Sequence, residues 1–392
     1  MTAGDCLIVI PARYGSTRLP GKPLIPLAGK PLIAWVVEAA LQAEQATGVV
    51  VATDHPEIAE AARSAGAEAL LTSASHRNGT ERLLEVAAQR PAAAYINLQG
   101  DEPLINPQDV DCLISALDTG MADVLSLCHG ISAAQAQESS RVKVARSEQG
   151  QALYFSRSPI PHGAARYFQH LGIYGFQTQA LDRIRQLAPT ALEQQEQLEQ
   201  LRWLEAGLRI ELLESSTPSL GVDTPADLEE VSRVLQLRQI RGVLCDVDGV
   251  LTDGRLWYGP EGEELKAFHV RDGLAIKQLI SSGIAVALVS GRDSLALRRR
   301  MADLGIEHAV LGQPDKAAGC RQMAADLGLE LEALAYVGDD SPDLAGMALC
   351  GWSFAVADAP AAVQVAARSV LSSRGGNGAI HEVAQFLLEL KQ

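Results

Sequence analysis

Asp246 and Asp248 stand directly behind the apolar run Gly242–Cys245. On an extended segment two carboxylates at that spacing point the same way. One can attack phosphorus while the other serves as general acid and base. A bare Asp-x-Asp is also common in polar turns, but three downstream features speak against a turn. Val289-Ser290-Gly291-Arg292 brings a hydroxyl to a strand end, and Asp315-Lys316 offers a cation before a helix. Tyr336–Leu344 then carries Asp339, Asp340 and Asp343 behind another apolar run. Nucleophile, hydroxyl, lysine and acidic cluster follow in that order.

A second set of chemical residues lies near the start. Ile10–Leu24 leaves an apolar run and enters a loop with Gly15, Gly21, Ser16, Thr17, Arg13, Arg18 and Lys22. Glycines let backbone N–H groups approach phosphate oxygens, and the three cations can neutralise a triphosphate. The Walker A pattern is absent. Asn97–Pro103 ends a further run with Gly100-Asp101, which suits Asp101 to a divalent metal; alone it would read as a turn at least as well. In Gly221–Pro225, Asp223 is a second metal ligand or a helix N-cap, and taken alone the cap is favoured.

These residues need strand ends to hold them. Leu7–Pro11, Val49–Ala52 and Ala94–Leu98 read as buried parallel strands, with helices over Pro31–Ala43, Pro56–Ala65 and Glu81–Ala88. Val142–Phe176 reads as extended segments of an inserted subdomain and Leu192–Glu205 as one helix. Thr224-Pro225 opens another helix. A new alternating series begins at Gly242 and continues through Ile284–Ser290, His308–Leu311, Ala333–Gly338 and Ser353–Ala357. The expectation is two α/β domains, 1–237 and 238–392, joined without a Pro/Ser-rich linker.

Composition bounds the partners. With 392 residues, 47% hydrophobic and 21% charged, the chain has material for two globular cores. No uninterrupted apolar stretch is long enough to span a membrane, and Met1–Asp5 carries no basic signal-peptide region. Six scattered cysteines without Cys-x-x-Cys spacing suit a reducing compartment. A net charge of −15 argues against nucleic acid. The expectation is a cytoplasmic protein with no membrane or nucleic-acid partner, whose anionic substrates meet local Arg/Lys clusters.

The first half resembles the 3-deoxy-manno-octulosonate (Kdo) cytidylyltransferases from about residue 5 to 236. The similarity lies in IPARYGSTRLPGKPL, VATDHPEIA, NGTERL, NLQGDEP, ALYFSRSPIP, HLGIYGF, LEQLRWLEAG and GVDTPADLEEV. The sialic-acid branch differs in the phosphate loop, where Ser16–Pro20 favours Kdo. The resemblance implies a nucleotide-diphospho-sugar-transferase-like, Rossmann-type domain. It implies that Arg13, Arg18 and Lys22 bind CTP phosphates, that Gln99 reads cytosine, and that Asp101 and Asp223 hold Mg²⁺. Arg157, His170, Tyr174, Glu199 and Gln200 would bind the sugar acid. Three departures bear on the sugar: Asn78 in place of the usual Ser, Gln169 in place of a basic residue, and a short segment between Pro161 and His170.

The second half, about 240–390, is similar to the haloacid-dehalogenase-like (HAD) Kdo 8-phosphate phosphatases through DVDGVLTDG, FHVRDG, Lys316 and Arg374–Ile380. That resemblance implies a HAD-like Rossmannoid domain with Asp246 as nucleophile and Asp248 as acid/base. Mg²⁺ would sit on Asp246, Asp248 (through its carbonyl) and Asp339. Ser290 and Lys316 would hold the phosphoryl group and Asp343 would position Lys316, with Arg271, Arg292 and Arg374 on the substrate side. Arg255–Phe268 is too short for a cap domain, which implies a homotetramer whose Gly-rich tail could reach an adjacent site. Two alternatives stay open: a nine-carbon ulosonate as the sugar, and a C-terminal domain serving only oligomerisation.

Overall fold

The computed structural model describes residues 5–15, 19–120, 122–215, 217, 220–260 and 262–390. The chain divides into two compact units, Met1–Ser232 and Arg233–Gln392. The division falls inside the helix Pro225–Arg238.

The first unit is built on β1 (Cys6–Ala12), whose residues are nearly all buried because helices cover both faces of the sheet. A small ribbon of β2 (Pro26–Leu27) and β3 (Lys30–Pro31) follows. The remaining strands are β4 (Gly48–Thr53), β5 (Glu68–Leu71), β6 (Ala94–Leu98), β7 (Val124–Ile131), β8 (Lys143–Arg146), β9 (Ala152–Ser156), β10 (Tyr167–Gln177) and β11 (Ile210–Glu214). Their order is β11-β7-β10-β6-β1-β4-β5, with β8 and β9 attached beside β10. β1 pairs parallel with β4 and with β6, so chain connections leave it in opposite directions. A crevice forms outside the carboxyl ends of strands at such a switch point, and there the loops after β1 and β6 lie.

Two expectations need correction here. Val142–Phe176 is only partly an insertion. β8 and β9 form a hairpin, but β10 runs on between β7 and β6 as a central strand. Leu192–Glu205 is not one helix but two, Ala191–Glu196 and Gln200–Glu205, because Gln197 turns into the left-handed region at φ 56°. Burial of Leu198 in the core accompanies the break, and the break brings Glu199 and Gln200 to the crevice.

The second unit is a six-stranded parallel sheet: β12 (Gly242–Cys245), β15 (Ala285–Ser290), β16 (His308–Leu311), β17 (Leu334–Gly338), β18 (Trp352–Ala355) and β19 (Ser369–Val370). Its order is β16-β15-β12-β17-β18-β19. The hairpin of β13 (Trp257–Gly259) and β14 (Gly262–Leu265) stands apart. The short edge strand β19 carried no periodic signal in the sequence. Among the described residues no helix is long and apolar enough to cross a membrane.

Two candidate active sites

The loop after β1 is closed on itself and tied to the sheet. Gly21 N–H donates to the Tyr14 carbonyl at 3.2 Å, and Tyr14 N–H donates to Asp54 Oδ1 at 3.0 Å. The other Asp54 oxygen accepts from Arg82, whose side chain is buried. Arg82 is an anchor that sequence reasoning left without a role. Its signal was a cation inside an otherwise buried helix face. Arg13 lines the cleft and is exposed; Arg18 lies outside the described residues.

Lys22 is the hinge of the site. Its Nζ donates to Asp101 Oδ2 at 2.5 Å, to the Val222 carbonyl at 2.7 Å and to Asp223 Oδ1 at 3.2 Å. One ammonium therefore serves two carboxylates from distant segments; burial opposes its charge, but Asp101 and Asp223 together hold its pKa above the ordinary value. Asp223 is not the N-cap. Thr224 Oγ1 accepts from Asp227 N–H, while the Asp227 carboxylate accepts from the Asp223 and Thr224 amides. The Asp223 carboxylate meets that of Asp101 at Lys22. Two hard oxygen donors converging on one cation suit Mg²⁺.

The cleft, about 530 Å³, is lined by all the described residues expected there: Arg13, Lys22, Gln99, Asp101, Arg157, His170, Tyr174, Glu199, Gln200 and Asp223. Gln99 is packed where β10 bulges between Leu171 and Tyr174. A Cβ on Gly172 would stand 3.1 Å from Gln99 Cγ, so a side chain there would press on Gln99. The Ser126 hydroxyl donates to the Ile173 carbonyl and so accepts from His170 Nε2 at 2.8 Å. Burial pushes His170 down to about 3, so its ring is neutral. Glu199 is raised to about 7 by burial, and its Oε2 has no hydrogen-bond partner among the described residues. Of the departures, Asn78 keeps a serine-like task, its side chain accepting from Glu81 N–H at the start of the helix Gly79–Gln89. Gln169 accepts from Arg141 Nη1 at 2.9 Å.

In the second unit β12, β15 and β17 deliver Asp246, Ser290 and Asp339 to one edge. Lys316 Nζ lies 2.6 Å from Asp246 Oδ1 and 3.5 Å from Asp343 Oδ1, and donates to the Val289 carbonyl at 2.7 Å. Asp343 is buried and fully engaged. It accepts from Tyr336 Oη at 2.7 Å and from the Asp339 and Asp340 amides. Asp248 pairs with Lys266, a buried lysine at the foot of the hairpin that sequence reasoning missed, with Arg292 Nε 3.9 Å away. Ser290 Oγ accepts from Arg292 N–H. Arg271 and Arg374 are exposed.

Asp246, Asp339 and Asp343 present oxygens within 4.8 Å of one another. Since Asp343 is engaged, the open donors are Asp246 and Asp339, and Asp339 Oδ1 is buried without a hydrogen-bond partner among the described residues. Gly249, at φ 97°, makes the approach possible: a Cβ there would stand 2.0 Å from Asp339 Oδ2. Burial, then Asp343, raises Asp246 to about 6; burial, then Asp246, raises Asp339 to about 8. A divalent cation fits this donor set and relieves its repulsion. Protein stripped of divalent cations should therefore lose stability as pH rises. The folded chain holds protons that the unfolded chain releases from about pH 4 upward, so stability is complete below that pH and declines toward pH 8. Thermal unfolding of the second unit in chelator, scanned from pH 5 to 8 with and without added Mg²⁺, checks this. A flat profile in chelator contradicts it.

The Gly-rich tail does not extend freely. Gly376 N–H donates to the Val250 carbonyl at 2.9 Å and Gly375 N–H to Asp358, seating the segment on the chain's own first-motif loop. Asp272 then accepts from the Gly378 and His381 amides at the start of the helix Ala379–Glu389. Apolar burial of Ile380, Val383 and Leu387 holds the helix that follows in its own unit, while Arg374 stays exposed.

A cationic loop and two carboxylates at the switch point of a Rossmann-type sheet define a nucleotidyltransferase, and the second unit has the HAD-like arrangement. The cytidylyltransferase family model matches residues 7–210, and the chain belongs to that family. The haloacid dehalogenase-like hydrolase model matches residues 311–383. The 3-deoxy-manno-octulosonate cytidylyltransferase of Escherichia coli is 48% identical over 234 residues, 58% of this chain and 95% of the relative. That of Anaeromyxobacter dehalogenans strain 2CP-1 is 45% identical, over 58% of this chain and 96% of the relative. A solved CMP:2-keto-3-deoxy-manno-octonic acid synthetase complexed with CTP is 48% identical, covering 59% of this chain and 98% of its own, with a TM-score of 0.57. A cobalt-bound deoxy-D-mannose-octulosonate 8-phosphate phosphatase from Haemophilus influenzae is 51% identical over 40% of this chain and 91% of its own, with a TM-score of 0.40.

Proposed function

We propose that this one chain hydrolyses Kdo 8-phosphate to Kdo and phosphate and transfers CMP from CTP to Kdo, releasing pyrophosphate. The first product is the acceptor of the second reaction. The observation carrying the proposal is the Asp246–Lys316–Asp343 constellation, complete in a chain whose first unit is a cytidylyltransferase. An oligomerisation module would have no need to bury that charge.

In the first site Arg13, Arg18 and Lys22 hold the CTP phosphates, and Gln99 with adjoining main chain reads the base. Arg157, His170, Tyr174, Glu199 and Gln200 hold the sugar acid so that its anomeric hydroxyl attacks the α-phosphorus in line. Asp101 and Asp223 would hold Mg²⁺, which when bound neutralises charge on the phosphates. In the second site Asp246 attacks phosphorus, and Asp248 gives a proton to the departing sugar oxygen. Asp248 then takes a proton from the water that cleaves the aspartyl phosphate. Ser290 and Lys316 steady the phosphoryl oxygens, and Asp343 positions Lys316. Arg271, Arg292 and Arg374 provide cations toward the sugar acid. Asp246, Asp339 and the Asp248 carbonyl would hold Mg²⁺.

Trp257, Tyr258, Leu265 and Val270 are all exposed on and beside the hairpin. Such an apolar set asks for a partner surface, and we take it as the contact of a homotetramer, read by light scattering. The free cysteines fit a cytoplasmic setting. The deciding assay measures phosphate release from Kdo 8-phosphate and pyrophosphate release from CTP with eight- and nine-carbon ulosonates. Faster turnover of a nine-carbon acceptor would overturn the choice of sugar.

A further inference from the structure

Lys143 begins β8 and its side chain is wholly buried. Among the described residues no carboxylate pairs with it. Its Nζ donates to three main-chain carbonyls: Glu138 at 2.8 Å, Arg141 at 2.7 Å, and Arg157. A buried ammonium persists only where all its donors are satisfied, and here burial and the charge of Arg157 lower its pKa. Three carbonyls from two separate segments are thus drawn onto one cation.

Two of those carbonyls belong to arginines that line the cleft. The Arg141 side chain is steered by Glu138 Oε2 at 2.7 Å and Gln169 Oε1 at 2.9 Å. That of Arg157 donates from Nε to the Glu196 carbonyl and from Nη1 to the Ser139 carbonyl. Each guanidinium therefore has Nε and Nη1 committed, while Nη2 has no protein partner among the described residues. Two arginine donors held by the chain and lining one cleft match a carboxylate.

We propose that Lys143 is a positioning residue that sets Arg141 and Arg157 as a paired receptor for the carboxylate of the acceptor sugar. Arg141 is then a binding residue that the sequence motifs did not mark. The proposal rests on the cytidylyltransferase reading above and names how that site selects acids.

The test uses the full chain with CTP and the best ulosonate of the panel. Lys143→Met should raise the KM for the ulosonate about tenfold or more, leaving the KM for CTP and the phosphatase rate near wild type. Arg141→Gln should shift the same constant in the same direction without touching the buried hub, and Arg141→Lys should recover part of it. Both variants should also narrow the preference for the acid over its carboxamide analogue. If Lys143→Met does not fold, Arg141→Gln decides. An unchanged ulosonate KM in Arg141→Gln, or equal rises for CTP and ulosonate, overturns the proposal. Wild-type enzyme that transfers CMP to no ulosonate overturns the functional reading itself, and this proposal with it.

Discussion

Asp246→Asn should release no measurable phosphate from Kdo 8-phosphate while cytidylyl transfer proceeds near the wild-type rate. An amide cannot form the acyl phosphate, and loss of a nucleophile costs at least about 10³-fold in turnover. The substitution is isosteric, so the fold should tolerate it. Lys316 keeps Asp343 at 3.5 Å and the Val289 carbonyl at 2.7 Å. It also removes one of the carboxylates whose crowding raises Asp339. The variant in chelator should therefore show a shallower loss of stability toward pH 8 than the parent. Parallel assays of phosphate and pyrophosphate release check the first part. Loss of both activities in a folded variant would mean that the two reactions do not use separate sites.

Asp101→Ala should do the converse. It removes one of two carboxylates facing the phosphates and should slow CMP transfer by about 10²- to 10⁴-fold, several kcal/mol of barrier. Phosphatase turnover should be unaffected. Lys22 would retain the Val222 carbonyl and Asp223, so the loop after β1 stays anchored and the loss reports on chemistry rather than on folding. Near-normal synthesis would reduce Asp101 to a turn residue.

The strand runs that carry both sites were legible because they are parallel strands covered on both faces, which writes burial as continuous apolar residues. Asp246, Ser290, Lys316 and Asp339 were legible for the same reason: each follows such a run or opens a helix. Less was legible where a residue's environment comes from elsewhere in the chain. Asp223 looked like a cap until Thr224 and Asp227 were seen to cap the helix between them. Helical composition over 192–205 concealed the turn at Gln197, because burial of Leu198 overrides local propensity.

The chain's order of motifs by itself determined two α/β units, a cationic Gly-containing loop after the first strand and an Asp-x-Asp pair behind β12. Those rest on local periodicity and on residue types that only a few chemistries use. Tertiary structure alone decided which cation faces which anion. Lys22 between Asp101 and Asp223 and the tail on its own loop join segments far apart in sequence, while Lys266 on Asp248 and Lys143 on the Arg157 carbonyl join separate elements. A buried charge survives only with a partner, and the partner is chosen by the packing of strands and loops, which no local pattern records.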